Sequence, residues 1–308
     1  MDNLFSRTWN IGAAAEFACQ LEVQAPKAGN VHPGAEFIDM NHQHFVESAR
    51  AIRPVFDLEK FESVGQLVLE SVRATQARVG RNTNLGTLLL FAPIALAAQS
   101  LPDAMRTENA SGAAANESCR KLELATNVKN VLQNLTPLDS RNVYEAIRLA
   151  NPGGIGSQQT NDVQSLPPDD LVEAMRQVAH FDAVARQFAE GFADLFERYL
   201  PWLEQAWESL ERLELTERIT ESVCWLQLQI LAHEPDGLIV RKLGDATARE
   251  VQERAASAFA QAATCQALST QPCYAELDQF LRADRHRRNP GTTADLIAAT
   301  LFTRLICG

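Results

Sequence analysis

The segment Leu85 to Gln99 (LGTLLLFAPIALAAQ) constrains the fold more than any other part of the chain. Apolar side chains cover nearly all of its circumference, and a helix of that kind has to be enclosed by other elements. Its longest apolar run, Leu88 to Ala98, contains Pro93 and falls short of the roughly 20 residues of a membrane span. The reading is therefore a helix buried at the centre of a packed domain, with no membrane partner. Strand signals are weak elsewhere. Helical spacing recurs over Asp170 to Leu200, with Leu171, Met175, Val178, Ala185, Phe188, Phe192, Leu195 and Tyr199 on one face. Ser63 to Val79, Ala146 to Ala150, Glu217 to Ala232 and Ala246 to Leu268 also read as helices. The expected fold is all-α: one multi-helix domain over residues 1–308 with a buried central helix and a polar surface loop near 107–118 (TENASGAAANES).

A net charge of −11 argues against a nucleic-acid partner, because phosphate backbones need a basic face. A small nucleotide stays compatible with an acidic chain, since a few local cations or a metal ion suffice. The six cysteines are scattered without a CxxC, and the start MDNLFSRTWN lacks the pattern of a signal peptide. Free thiols in a reducing cytoplasm are the expectation.

Chemistry-bearing residues gather at polar, glycine-bearing junctions between the helical segments, where a helical enzyme would carry its site. The first junction is Glu22-Val-Gln-Ala-Pro-Lys-Ala-Gly-Asn-Val-His32, continuing to Asp39. Lys27 beside Gly29 suits a phosphate, because Gly permits close approach and Lys brings a mobile charge; a solvated turn is the plain alternative. Asn41 is positioned to cap the helix that follows. The second is Gly80-Arg-Asn-Thr-Asn-Leu-Gly86, where Asn82, Thr83 and Asn84 either cap the apolar helix or touch a ligand. The third, Asn151-Pro-Gly-Gly-Ile-Gly156 with Asp162, has a glycine loop around Gly154 that reads as a phosphate cradle or a helix C-cap. The fourth is Glu234-Pro-Asp236-Gly-Leu-Ile-Val-Arg241-Lys242, a carboxylate for a metal beside cations for phosphate, or a surface ion pair. The last is the basic run Arg282 to Arg288 leading into Asn289-Pro290-Gly291-Thr292. There Thr292 is expected to cap a helix with Asp295 three residues on, or Asp295 turns away and holds a cation.

In this order and spacing, PKAGNVHPGAEFIDM, GRNTNLG, NPGGIG with NDV, PDGLIVRKLG and NPGTTADLIAATLF resemble the triphosphoribosyl-dephospho-CoA synthase family over nearly the whole chain. The resemblance implies an all-α transferase that takes ATP and dephospho-CoA. It moves the triphosphoribosyl group to a ribose hydroxyl of dephospho-CoA and releases adenine, making the prosthetic-group precursor of acyl-carrier subunits in citrate or malonate decarboxylating lyases. It further implies Glu22, Asp39 and Asp162 as catalytic carboxylates and Asp236 and Asp295 as ligands of Mg2+. Lys27, Arg241, Lys242 and Arg288 would hold phosphates, with Asn30 beside them. Asn82, Thr83 and Asn84 would orient ribose or adenine. Gly29, Gly86, Gly154 and Gly291 would let backbone approach the ligand.

The chain departs from the best-known members in three places. Pro26-Lys27-Ala28-Gly29-Asn30-Val31-His32 stands for Pro-Lys-Pro-Gly-Leu-Val-Asp, Asn84-Leu85 for His-Lys, and Asp236-Gly237-Leu238 for Asp-Thr-Asn. Leu85 opens an apolar helix and is expected to pack, which removes one charge from a phosphate-rich site. A paralogous ribosyl or phosphoribosyl transferase with another acceptor is the alternative. A non-catalytic nucleotide-binding protein fits less well, because binding alone needs fewer carboxylates.

Overall fold

The computed structural model describes residues 9–57, 63–102, 113–151 and 166–308. Among them are fourteen α-helices and no β-strand, so the all-α expectation holds. Leu85–Gln99 is one helix, buried along almost its whole length. It lies against Gly291–Cys307, a second largely buried helix. Phe91 and Phe302 stack with centroids 4.3 Å apart, and Phe56 meets both edge-on. Ile11–Gln24 covers the other side of Gly291–Cys307, and His42–Phe56 and Val64–Val79 follow it around the centre. Leu215–His233 closes the far side with Trp225, Leu226 and Leu228 inward. No described helix is long and apolar enough to cross a membrane.

Capping explains several boundaries. Ser63 and Asn41 accept hydrogen bonds from the first-turn amides of the helices they precede, Asn41 within a reciprocal box with His44. Val64–Val79 ends at Gly80, whose φ of 67° is the left-handed C-cap geometry.

Four expected boundaries change, the first being the helix expected over Ala146 to Ala150, which begins at Pro137 behind the cap Thr136. The stretch 170–200 is two short helices, Leu171–Val178 and Ala183–Ala189, followed by a single π-helical turn, Leu195–Tyr199. Asp182 restarts the chain by accepting from Val184 N at 3.0 Å and Ala185 N at 3.1 Å, and Gly191 and Phe192 break it again with positive φ. The helix from 245 stops at Gln261, where Ala262 turns extended. Residues 113–118 of the polar stretch belong to the helix Ala113–Gln133; residues 107–112 lie outside the described residues.

Candidate active site

The two apolar helices at the centre, Leu85–Gln99 and Gly291–Cys307, bring their N-terminal turns together. That placement opens the principal cleft of the described residues, about 1230 Å³ in volume. Its floor holds Asp295, Glu22 and Cys19 with Thr87. Thr87 Oγ1 donates to Asp295 Oδ1 at 2.7 Å. Gly86 makes the arrangement feasible: a β-carbon there would lie 2.6 Å from Asp295 Cγ. Burial lifts the Asp295 carboxyl to about 7, and nearby Glu22 adds to the rise while the Thr87 hydrogen bond opposes it. Burial also raises Glu22, against the pull of Lys27. The Cys19 thiol is pushed up by burial and by the Glu22 and Asp295 charges, which keeps it protonated.

Lys27 does not line the cleft. It is fully buried behind the wall, its ammonium 3.0 Å from Glu22 Oε1 and also donating to the Glu22 carbonyl. Gly29 likewise serves packing: with φ of 73°, it lies so close to Leu281 that a β-carbon would sit 2.8 Å from Leu281 Cβ. Its N–H donates to Asp278. Asn30 does reach the cleft. Its amide donates to Asn289 Oδ1 at 2.7 Å, and its carbonyl oxygen accepts from Gln227 Nε2 at 2.7 Å.

Asp236 also lies outside the cleft lining. Oδ1 accepts from Leu238 N (2.9 Å) and Ile239 N (3.1 Å), and Oδ2 from Thr293 N (2.8 Å) and Thr293 Oγ1 (2.9 Å). A carboxylate offers about four lone-pair positions, so all of them are taken. One side chain thus caps two helices, Gly237–Leu243 and Gly291–Cys307. Thr292 is consequently not the cap of the last helix, which begins at Gly291 after Pro290. Asp295 turns into the cleft instead of back to the backbone.

Asn82, Thr83 and Asn84 line the cleft. Asn82 accepts from Leu85 N, Thr83 and Ser48 share a 2.6 Å hydroxyl contact, and Asn84 donates to Thr75. Leu85 is packed at 8% exposure, as expected. Gly291 lines the cleft with no room for a side chain beside Leu238. Arg241 and Lys242 line it as well. Arg241 pairs with Asp182, leaving its buried Nε without a partner among the described residues. Burial lowers the Lys242 ammonium, partly offset by Asp236. Asp39 is exposed at the rim. Arg288 is not a lining residue; it donates to the Phe280 carbonyl and lies over the Phe280 ring. Asp162 and Gly154 fall outside the described residues.

Three rim cations come from junctions marked in the sequence but were not among the expected phosphate ligands: Arg81 from Gly80 to Gly86, and Arg285 and Arg287 from the basic run. The basic run is held at the rim by Phe37 stacking on His286 with centroids 4.3 Å apart. Arg285 and His286 take positive φ, a conformation that sharply turns the basic run toward the cleft. Asp182 was missed too, although an Asp before Ala183-Val184 is an ordinary cap signal. No group of three or more His, Cys, Asp or Glu side chains converges as a metal site among the described residues.

The family model for ATP:dephospho-CoA triphosphoribosyl transferase matches residues 8–308. Among curated proteins none matches the chain. The crystal structure of a candidate triphosphoribosyl-dephospho-CoA synthase from Archaeoglobus fulgidus is similar in fold, with a TM-score of 0.60 and 24% identity over 85% of this chain and 98% of that one.

Proposed function

The chain belongs to the ATP:dephospho-CoA triphosphoribosyl transferase family, and we propose that it transfers the triphosphoribosyl group of ATP to a ribose hydroxyl of dephospho-CoA with release of adenine. The observation that carries this reading is the sorting of charge in one cleft, with buried carboxylates at the floor and cations at the rim. In the reaction the ribose C1–N bond to adenine breaks and a C1–O bond to the acceptor forms. The hydroxyl proton passes to a floor carboxylate, and the departing base takes up a proton. As in glycoside cleavage, the transition state gathers positive charge at C1, which carboxylates beneath the sugar stabilise.

Asp295 is the preferred proton acceptor, because a carboxyl lifted to about 7 is matched to work near neutral pH. Glu22, anchored by Lys27, supplies the second negative charge. Arg241, Lys242, Arg81, Arg285 and Arg287 would receive the triphosphate, and the unpartnered Arg241 Nε supports that role. Asn82, Thr83 and Asn84 would orient the sugar and Asn30 the donor, with Asp39 at the rim. Gly86 and Gly291 serve by leaving room for Asp295 and Leu238.

Mg2+ fits the oxygen chemistry of Glu22, since this ion is commonly held by one or two carboxylates together with substrate phosphates, and that choice leaves Asp295 free to take the proton. It would neutralise phosphate charge there. Asp236, with every lone pair engaged, is not part of that donor set. The charge absent at Leu85 is offset by the rim arginines, which favours dephospho-CoA over another acceptor.

We read residues 1–308 as one domain, supported by a core cluster that includes both Ala14 and Cys307. Six unpaired cysteines support a cytoplasmic setting. The test is adenine release from ATP and dephospho-CoA, with a product mass equal to both substrates less adenine. Turnover with another ribosyl acceptor and none with dephospho-CoA would overturn the assignment.

A further inference from the structure

The mechanism above uses only part of the cleft. At about 1230 Å³ it exceeds the roughly 300–1,000 Å³ of a pocket for one small ligand. Its remaining wall is apolar and comes from the helices Pro137–Ala150 and Leu171–Val178. Leu171, Ala174, Met175 and Val178 are spaced i, i+3, i+4 and i+7, so they form the single apolar stripe of a short amphipathic helix. That stripe faces the cleft. Met175 and Val178 remain only half-buried, as is unusual for the apolar face of a packed helix. Opposite them stand Ile147 and Tyr144. Tyr144 lines the cleft with its ring largely covered, at 5% exposure. Its hydroxyl is a polar group on an otherwise apolar wall, able both to donate to and to accept from a ligand amide.

We propose that this apolar wall is the subsite for the pantetheine arm of the acceptor, with the Tyr144 hydroxyl bonding to one of its amides. The inference rests on the assignment of dephospho-CoA as acceptor. The chemistry of that molecule matches the division of the cleft. Its nucleotide half is anionic and suits the arginine rim. Its other half is an uncharged chain with a gem-dimethyl group and two amides, which needs apolar surface and isolated polar partners. The uncharged part of ATP is a rigid planar adenine, whereas a wall of aliphatic side chains better fits a flexible branched chain, so the wall is assigned to the acceptor and not the donor.

The experiment compares equilibrium binding of dephospho-CoA with that of ADP, which is dephospho-CoA without its pantetheine arm. Calorimetry on the full chain is run for the wild type, Met175→Glu and Tyr144→Phe, with a thermal melt for each. In the wild type dephospho-CoA should bind about tenfold tighter than ADP or better, the margin of one buried apolar contact region. Met175→Glu should erase that margin, and Tyr144→Phe should cut it several-fold, while ADP affinity stays within about twofold. If Met175→Glu does not fold, Tyr144→Phe decides alone. Equal wild-type affinities for the two ligands would overturn the proposal. So would variants that weaken ADP as much as dephospho-CoA, which would give the wall to the nucleotide half. Adenine release is assayed separately: a binding margin that depends on Tyr144 without release would refute the transfer reaction and leave the subsite standing.

Discussion

Gly86 and Asp295 share one volume: the carboxylate occupies the space that any side chain at position 86 would fill. A Gly86→Ala enzyme should therefore keep its fold and lose its chemistry. Alanine favours a helix interior by about 1 kcal/mol over glycine, and the Asp295 carboxylate can swing aside to relieve the overlap. The expected result is a melting temperature within a few degrees of wild type, with adenine release slowed about a hundredfold, the cost of a displaced catalytic group. An unchanged rate would show that Asp295 acts from another position.

Asp295 also makes a pH prediction with a definite sign. Its carboxyl is raised from 3.8 to about 7 in the folded protein, so between those values the folded state holds a proton that the unfolded chain has released. Stability from this group is present at low pH and is lost as pH rises through about 7, by at most about 4 kcal/mol. Activity moves the opposite way, because the base must be ionised: kcat/KM should rise with pH and level off above about 7. Asp295→Asn should abolish turnover and flatten the stability slope over pH 4 to 7. Urea melts across that range, paired with rate profiles, check both halves.

Lys27 and Glu22 form a buried ion pair, so removing one partner strands the other. Lys27→Met should cost about 3–5 kcal/mol of stability. The double variant Lys27→Met with Glu22→Gln should recover much of that loss. Chemical denaturation of the three proteins measures it. A Lys27→Met protein of normal stability but weakened ATP binding would instead return Lys27 to the phosphates.

Asp236 and Asp295 should separate cleanly. Asp236→Ala uncaps two helices and leaves Thr293 N–H without its acceptor, a loss of roughly 2–4 kcal/mol. Its residual folded protein should still bind ATP in a manner that chelation by EDTA weakens. Asp295→Asn should keep both its fold and the EDTA response of ATP binding, and release no adenine. Denaturation and adenine release distinguish the two, and calorimetric titrations with and without chelator test the metal. ATP affinity indifferent to EDTA in the wild type would remove Mg2+ from the proposal.

Much of this architecture was legible in the residues because burial imposes a period. Leu85–Gln99 had no polar face, so it had to be central, and Asn41 announced its helix by capping chemistry. The junctions containing Glu22, Asn82 to Asn84, Arg241 and Asp295 were legible too, as polar groups beside apolar helices. Their partners were not. Nothing local to Asp236 reveals that Thr293 will donate to it. Lys27 looks like a solvent-facing cation until Glu22 is seen to lie against it. The stripe Leu171 to Val178 has the same period whether it meets a core or a cleft, so spacing alone could not expose the apolar wall. The interruptions near Asp182 and Gly191 were masked by an apolar pattern that stays in phase across them.

The stacking of Phe91 on Phe302 sets a schedule for the ribosome. About two hundred residues are added between the two rings, which at about 5–20 residues per second takes tens of seconds. For all of that interval the most apolar helix of the chain is without its companion. A nascent protein in that state offers hydrophobic surface to anything nearby, so its yield should depend on chaperones that hold such segments until translation has produced the last helix.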